Sequence, residues 1–238
     1  MNNYNKLKKI AKILVIISIC LIAILAVVGI FEIVEMINGP HTSEKSDEYD
    51  KYGHLIGEKP IIYLYPEKEM DIKVKLGYSN KIFTSYPKYD GEWDVRAYPD
   101  GKLIDNKTNR ELYGLYWEGE INNTQVKEEG FIVEGKDTIS FLEEKLEVLG
   151  LNEREANEFI IYWLPRLESN KYNYIRFMTR EEIDNNMELD INPKPDTLIR
   201  VMMEYKGLDK KIKVKDQKLP QVERTGYTVV EWGGTEIK

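Results

Sequence analysis

The chain has 238 residues, with 34 basic against 41 acidic side chains, a net charge of −7, one cysteine (Cys20) and two histidines (His41 and His54). From Lys59 onward it contains neither Cys nor His, which excludes Ser-His-Asp and Cys-His nucleophiles, HExxH-type zinc sites, thiolate metal sites and disulfides from that region. No Gly-rich phosphate loop and no GxSxG elbow occurs, so carboxylate, Lys, Arg, Tyr and Ser/Thr chemistry remains.

Lys6, Lys8, Lys9 and Lys12 precede an uncharged apolar run from Ile13 to Phe31 that ends at Glu32. A helix rising about 1.5 Å per residue would span roughly 30 Å over that run, the thickness of a bilayer core. A secretory signal has a shorter core of about 7 to 15 residues and a small-residue cleavage site, and Glu32-Ile33-Val34-Glu35-Met36-Ile37 offers none. Cys20 follows Ile19 in mid-run, which does not suit a lipoprotein cysteine. The sequence therefore predicts a cytoplasmic tail over 1–12 and an uncleaved signal anchor over 13–37. Basic residues before the span keep the N-terminus inside and place the remainder outside the cytoplasm, as a single-pass cell-membrane protein. With the four lysines removed, 30 basic residues face 41 acidic ones, a charge of about −11. That excess acidity argues against a nucleic-acid partner.

Residues 38–58 (NGPHTSEKSDEYDKYGHLIGE) are polar, mixed in charge and poor in large apolar residues, and read as a linker whose last residues, Leu55 and Ile56, could dock on the domain. The folded region is 59–238, either one domain or two subdomains meeting near residues 130–135. Its first half is written in strands. Ile61 to Tyr65 is an apolar, aromatic run closed by Pro66; Ile72, Val74 and Leu76 alternate with Lys73 and Lys75; Trp93, Val95 and Ala97 alternate likewise. Tyr98-Pro99-Asp100-Gly101 and Asp105 to Asn109 are turns, with Leu103-Ile104 between them and Leu112 to Trp117 after them. These segments predict an antiparallel meander.

The second half mixes helix and strand. Asp137 is a candidate N-cap for a helix with Ile139, Leu142, Leu146 and Leu149 on one face, stopped by Gly150. Asn152 and Glu155 form a capping-box pattern opening a second, short helix towards Phe159. Ile160 to Leu164 reads as a buried strand ended by Pro165, and Tyr174 to Met178, Leu198 to Tyr205 and Tyr227 to Trp232 read as further strands. The run from Leu198 to Met203 scarcely alternates, which places it centrally in a sheet. The expected class is α+β, a mostly antiparallel β domain with two helices in its second half.

Four strings stand out: Lys59-Pro60-Ile61-Ile62-Tyr63-Leu64-Tyr65-Pro66, Leu115-Tyr116-Trp117-Glu118-Gly119, Tyr162-Trp163-Leu164-Pro165-Arg166 and Val230-Glu231-Trp232-Gly233-Gly234. With these, residues 59–238 resemble a family of uncharacterised exported or membrane-anchored bacterial proteins. The resemblance implies an exported bacterial domain and carries no activity, substrate, cofactor or catalytic residue.

The same strings supply the candidate binding residues: Trp93, Trp117, Trp163, Arg166 and Trp232, with Glu118 and Glu231 beside two of the tryptophans. Indole faces stack on sugars and peptide side chains, but aromatic residues on strands are also the usual core, and a Glu next to a Trp on a strand points to the opposite face. Glu118 and Glu231 are the candidate catalytic pair, since two carboxylates flanking a glycosidic bond suffice for hydrolysis. Arg166 and Arg200 lie in or beside apolar runs, where a charge needs a partner; the candidates are an ion pair with an acid such as Glu204 or Glu231, or an anionic ligand group. No cofactor and no metal is expected. The functional expectation is a cell-surface binding or structural module with a cell-envelope polymer or protein as its partner. A carboxylate-dependent extracytoplasmic hydrolase such as a glycosidase is the alternative, and a membrane sensor ranks third because the cytoplasmic tail is so short.

Overall fold

The computed structural model describes residues 55–77, 81–121 and 125–237. The expected tail, anchor and most of the linker lie outside these residues. Within them no helix is long and apolar enough to cross a membrane.

In chain order the elements are β1 (Leu55–Tyr65), β2 (Met70–Leu76), β3 (Ile82–Tyr86), β4 (Trp93–Ala97), β5 (Leu103–Asp105), β6 (Glu111–Leu112), β7 (Leu115–Ile121), β8 (Glu129–Glu134), α1 (Thr138–Val148), α2 (Glu153–Leu167), β9 (Tyr172–Phe177), α3 (Arg180–Asn186), β10 (Leu189–Asn192), β11 (Thr197–Leu208), β12 (Lys215–Asp216) and β13 (Thr228–Glu236). Among the described residues the class is α+β, mostly β, with three helices where the sequence predicted two for the domain. An eight-stranded sheet runs β12-β8-β9-β11-β13-β1-β7-β3, and a five-stranded sheet runs β10-β2-β4-β5-β6. Pairing is antiparallel except for β11 with β13 and β12 with β8. The first-half strands do not form one meander. β1, β3 and β7 join the large sheet, while β2 and β4 to β6 build the small one.

Alternation along the strands makes the large sheet a shared wall. On β1, Ile62 and Leu64 enter the core against the small sheet, with Ile72, Val74, Val95 and Leu103. Ile61 and Tyr63 enter a second core under α1 and α2, with Leu142, Leu146, Phe159, Trp163, Val201 and Trp232. The result is three layers, helices on one face of the large sheet and the small sheet with α3 on the other. A strand buried on both faces reads as a continuous apolar run, and β11 lies between β9 and β13 as its sequence implied. On β2, Ile72, Val74 and Leu76 are buried and Lys73 and Lys75 are exposed, so the period-two reading holds there.

The segment Ile160 to Leu164 is not a strand. It belongs to α2, whose capping box at Asn152 and Glu155 forms as predicted but whose helix continues to Leu167, with Pro165 in its last turn. Phe159, Trp163 and Leu167 are buried at four-residue spacing while Ile161 is 68% exposed, a helical stripe and not a slab. An apolar run of five residues is too short for periodicity to separate the two readings. Ile139 also departs from expectation: Leu142, Leu146 and Leu149 of the predicted stripe are buried, but Ile139, in the first turn of α1, is 42% exposed. Gly234 admits the α2 contact, because a Cβ there would lie 2.8 Å from the Trp163 indole.

These placements give opposite outcomes for residues two apart. Ile161→Lys should change the unfolding free energy by less than about 0.5 kcal/mol, as surface changes do. Trp163→Ala should remove about 3–5 kcal/mol. Urea unfolding of the two variants checks both, and a severe loss in the Lys variant would restore the buried strand.

Candidate functional site

All four tryptophans are core residues. Trp93 donates its indole N–H to the Pro87 carbonyl at 2.8 Å, and Trp117 donates its own to Glu231 Oε1 at 3.1 Å. Trp163 and Trp232 are sealed between α2 and the large sheet, where Phe159 meets Trp232 edge-on with ring centroids 5.3 Å apart. No face of the four is free to stack on a ligand, so the expected aromatic groove does not form from them. Of that set only Arg166 reaches the surface, with its side chain 34% exposed.

Glu118 and Glu231 do not converge either. Each points away from its neighbouring Trp, as strand alternation requires, and this sends them to opposite faces of the large sheet. Glu231 is fully buried on the small-sheet side. Its Oε2 accepts from Arg200 Nε at 2.6 Å, and Arg200 Nη1 reaches Asp184 of α3 at 3.0 Å. Arg176 on β9 makes a parallel arrangement, donating to Glu204 at 2.7 Å and to both oxygens of Glu182 on α3. The ion pair expected for Arg200 is therefore present, with Glu231 as its partner. This network ties α3 to β9, β11 and β13.

The residues that meet at a surface come instead from a bulge in β1. The register of β1 against both β7 and β13 slips between Gly57 or Glu58 and Ile61. At the slip Lys59 adopts φ +56°, a left-handed conformation that is uncommon for a side chain of this size. The bulge rests on Gly233, where a Cβ would lie 3.0 Å from the Glu58 carbonyl oxygen. The Lys59 amide then donates to Glu118 Oε1 of β7 at 3.2 Å. Glu58 turns towards α2, and its Oε2 accepts from the Tyr162 hydroxyl and from Arg166 Nη2, both at 2.9 Å. The Lys59 ammonium sits 5.8 Å from the Tyr116 ring centre and 5.6 Å from that of Tyr162, and the Arg166 guanidinium lies 4.7 Å from the same Tyr162 ring.

Glu58, Lys59, Tyr116, Glu118, Tyr162 and Arg166 thus form one polar, aromatic cluster. Glu58 is 8% exposed, and its Oε1 is buried with no hydrogen-bond partner. Lys59, Tyr116, Glu118, Tyr162 and Arg166 are half-buried. Burial raises the Tyr116 hydroxyl well above its ordinary 10.0, helped by a hydrogen bond to Glu118 and the charges of Glu118 and Glu58. Burial and the Glu58 charge raise Tyr162 likewise, against the opposing charge of Arg166. Chemically the cluster offers two carboxylates, two phenols, an ammonium and a guanidinium, enough to hold hydroxyl, amide or amine groups. Among the described residues no group of three or more His, Cys, Asp or Glu is placed to hold a metal ion.

Sequence reasoning missed Glu58, which fell inside the expected linker, and the two tyrosines, which stood in the quoted strings without being singled out. One signal was available. Each of the four unusual strings contributes here: Lys59 from the first, Tyr116 and Glu118 from the second, Tyr162 and Arg166 from the third, and Gly233 from the fourth. No protein-family model, curated protein or solved structure matches this chain.

Two measurements test the electrostatics. Arg200→Met leaves the buried Glu231 without its ion-pair partner and should cost about 3–5 kcal/mol, whereas Arg200→Met with Glu231→Leu should recover most of that loss. Urea midpoints of the single and double variants distinguish the cases, and equal losses would show that the pair is not the cause. At alkaline pH the raised tyrosines bind their protons more tightly in the folded chain than in the unfolded one. Their contribution is complete below roughly pH 10 and is lost as pH rises further, because the unfolded chain then ionises first. The part of the phenolate absorbance that Tyr116→Phe and Tyr162→Phe remove should therefore appear only with unfolding, above the pH of about 10 at which the exposed tyrosines ionise. Ionisation of Tyr116 and Tyr162 at ordinary pH values in the folded protein would contradict it.

Proposed function

We propose that this chain is a membrane-anchored extracytoplasmic domain that binds a cell-envelope polymer through the surface around the β1 bulge. The observation that carries the reading is the meeting of Lys59, Glu118, Tyr162 and Arg166, from three distant stretches of chain, at one half-exposed place. Anchoring rests on the uncharged run Ile13 to Phe31 behind four lysines, and export fits the excess acidity and the absence of Cys after the span. Phenol faces such as those of Tyr116 and Tyr162 stack on sugar rings or peptide groups, while the carboxylates and Arg166 hold hydroxyls and amides. Binding needs no group beyond these.

Hydrolysis is the second reading, and one observation favours it: Glu58 and Glu118 flank the same Lys59, giving a carboxylate pair in place of Glu118 with Glu231. Both acids already hold internal hydrogen bonds, Glu118 with the Lys59 amide and Glu58 with Tyr162 and Arg166, which suits a fixed recognition surface.

Co-sedimentation of the detergent-solubilised full chain with purified peptidoglycan sacculi tests the proposal. Tyr162→Ala should weaken capture about 2- to 12-fold, the range of a lost aromatic contact of about 0.5–1.5 kcal/mol. Glu118→Gln should release no more soluble glycan than the wild type. Glycan release by the wild type that Glu118→Gln abolishes would establish the hydrolase, and unaltered capture by the Tyr162 variant would remove the bulge from the binding surface.

A further inference from the structure

Resting on that reading of the bulge as the binding surface, we infer that the group it recognises is a primary ammonium, and that Lys59 occupies the place of that group in the free protein. Lys59 holds its left-handed conformation at a cost that most lysines avoid. Its ammonium lies over two phenol faces, those of Tyr116 and Tyr162. Among the described residues it makes no ion pair, so the ring quadrupoles are its main partners. Glu58 precedes Lys59 in the chain and Glu118 accepts from the Lys59 amide, so the two carboxylates flank the Lys59 backbone.

That arrangement has the composition of a cation cage, with aromatic walls and an acidic base. It also has an unfilled acceptor, since Glu58 Oε1 is buried without a hydrogen-bond partner, a state that buried carboxylate oxygens rarely keep. A free primary ammonium keeps the positive charge over the ring faces and, unlike the tethered lysine, can shift to donate to the unfilled carboxylate oxygen. A hydroxyl supplies donors without charge, and an anion is repelled by both acids. Arg166 is already bound to Glu58 Oε2 and stacked on Tyr162, so it buttresses the wall and leaves the cage to the amine.

The internal lysine is a tethered competitor. An incoming amine must displace it, so apparent affinity falls by the fraction of molecules in which the cage is open. Replacing Lys59 by Gly empties the cage and keeps the bulge, because glycine adopts positive φ without strain. Calorimetric titration of the full chain with n-butylammonium, with n-butanol as the neutral control, tests this. The Lys59→Gly variant should bind n-butylammonium about tenfold or more tightly than wild type, in proportion to the removed occupancy. Adding Glu58→Gln to that variant should abolish the gain. Lys59→Asn, which also tolerates positive φ, repeats the measurement if the glycine variant melts early.

Equal affinity of the emptied cage for n-butanol and n-butylammonium overturns the inference, as does binding that survives Glu58→Gln. A separate arm uses sacculi whose free amines have been acetylated, which the wild type should no longer capture. Capture that persists after acetylation overturns the ammonium assignment and leaves polymer binding standing. Tight n-butylammonium binding by Lys59→Gly without capture of any sacculi overturns the polymer and supports the cage.

Discussion

The buried pair between Glu231 and Arg200 fixes what the rest of the molecule can do. The two residues stand directly opposite each other in the parallel pairing of β13 with β11. Both point to the small-sheet side, where Trp117 holds the other oxygen of Glu231 and Asp184 of α3 holds Arg200. A slip of one residue in either strand would send its charge into the apolar core under α1 and α2, where nothing could satisfy it. Apolar residues of similar volume could supply comparable stability but would not discriminate between registers so sharply. Because β1 pairs with β13, this register also sets which residues of β1 face the helices, and so where the bulge opens.

The two faces of the large sheet use charge differently as a consequence. On the small-sheet side the charged side chains of Arg176, Arg200, Glu204 and Glu231 are buried and matched, and they serve to seat α3. On the helix side Glu155 of α2 is buried against Arg224, while Lys59 of β1, Glu118 of β7 and Arg166 of α2 are held at the rim in contact with water. Arg176 to Glu204 and Arg200 to Glu231 have little left to offer a ligand. Lys59, Glu118 and Arg166 are half-exposed, Glu118 on the paired strand β7, Arg166 on the helix α2, and Lys59 at a bulge between paired stretches of β1. A rigid frame carrying an accessible polar cluster is the arrangement in which recognition costs little ordering on binding.

Local chemistry was legible in the sequence, and long-range convergence was not. The alternation in β2 and β4, the capping box at Asn152 and Glu155 and the central place of β11 all follow from patterns a few residues long. The pairing of Arg200 with Glu231 was reachable because an apolar run containing an arginine demands an acid, and few acids lay in comparable runs. Ile160 to Leu164 failed because five apolar residues fit either period, and the deciding contrast between exposed Ile161 and buried Trp163 is tertiary. Thr179 and Glu182 carried a capping-box spacing that announces α3, but too few apolar residues follow it for a helical stripe. Glu58 failed for a different reason: its contacts to Tyr162 and Arg166 bridge more than 100 residues, and composition before Lys59 points to linker.

The tryptophan-rich strings now have a physical account that separates their two jobs. Each string places a large apolar residue in a core and a polar neighbour on the opposite face or one turn away. Trp117 faces the small sheet while Glu118 faces the bulge; Trp163 fills the helix-side core while Tyr162 and Arg166 stand at its edge. Gly233 and Gly234 serve the same division on β13, the first admitting the bulge and the second admitting the Trp163 ring. The core residues therefore hold the site residues in register without contributing contact surface of their own. Changes to the tryptophans will move stability, whereas Tyr162, Lys59 and Glu118 can be altered with the frame intact, and it is these residues that can test the proposed recognition apart from the fold.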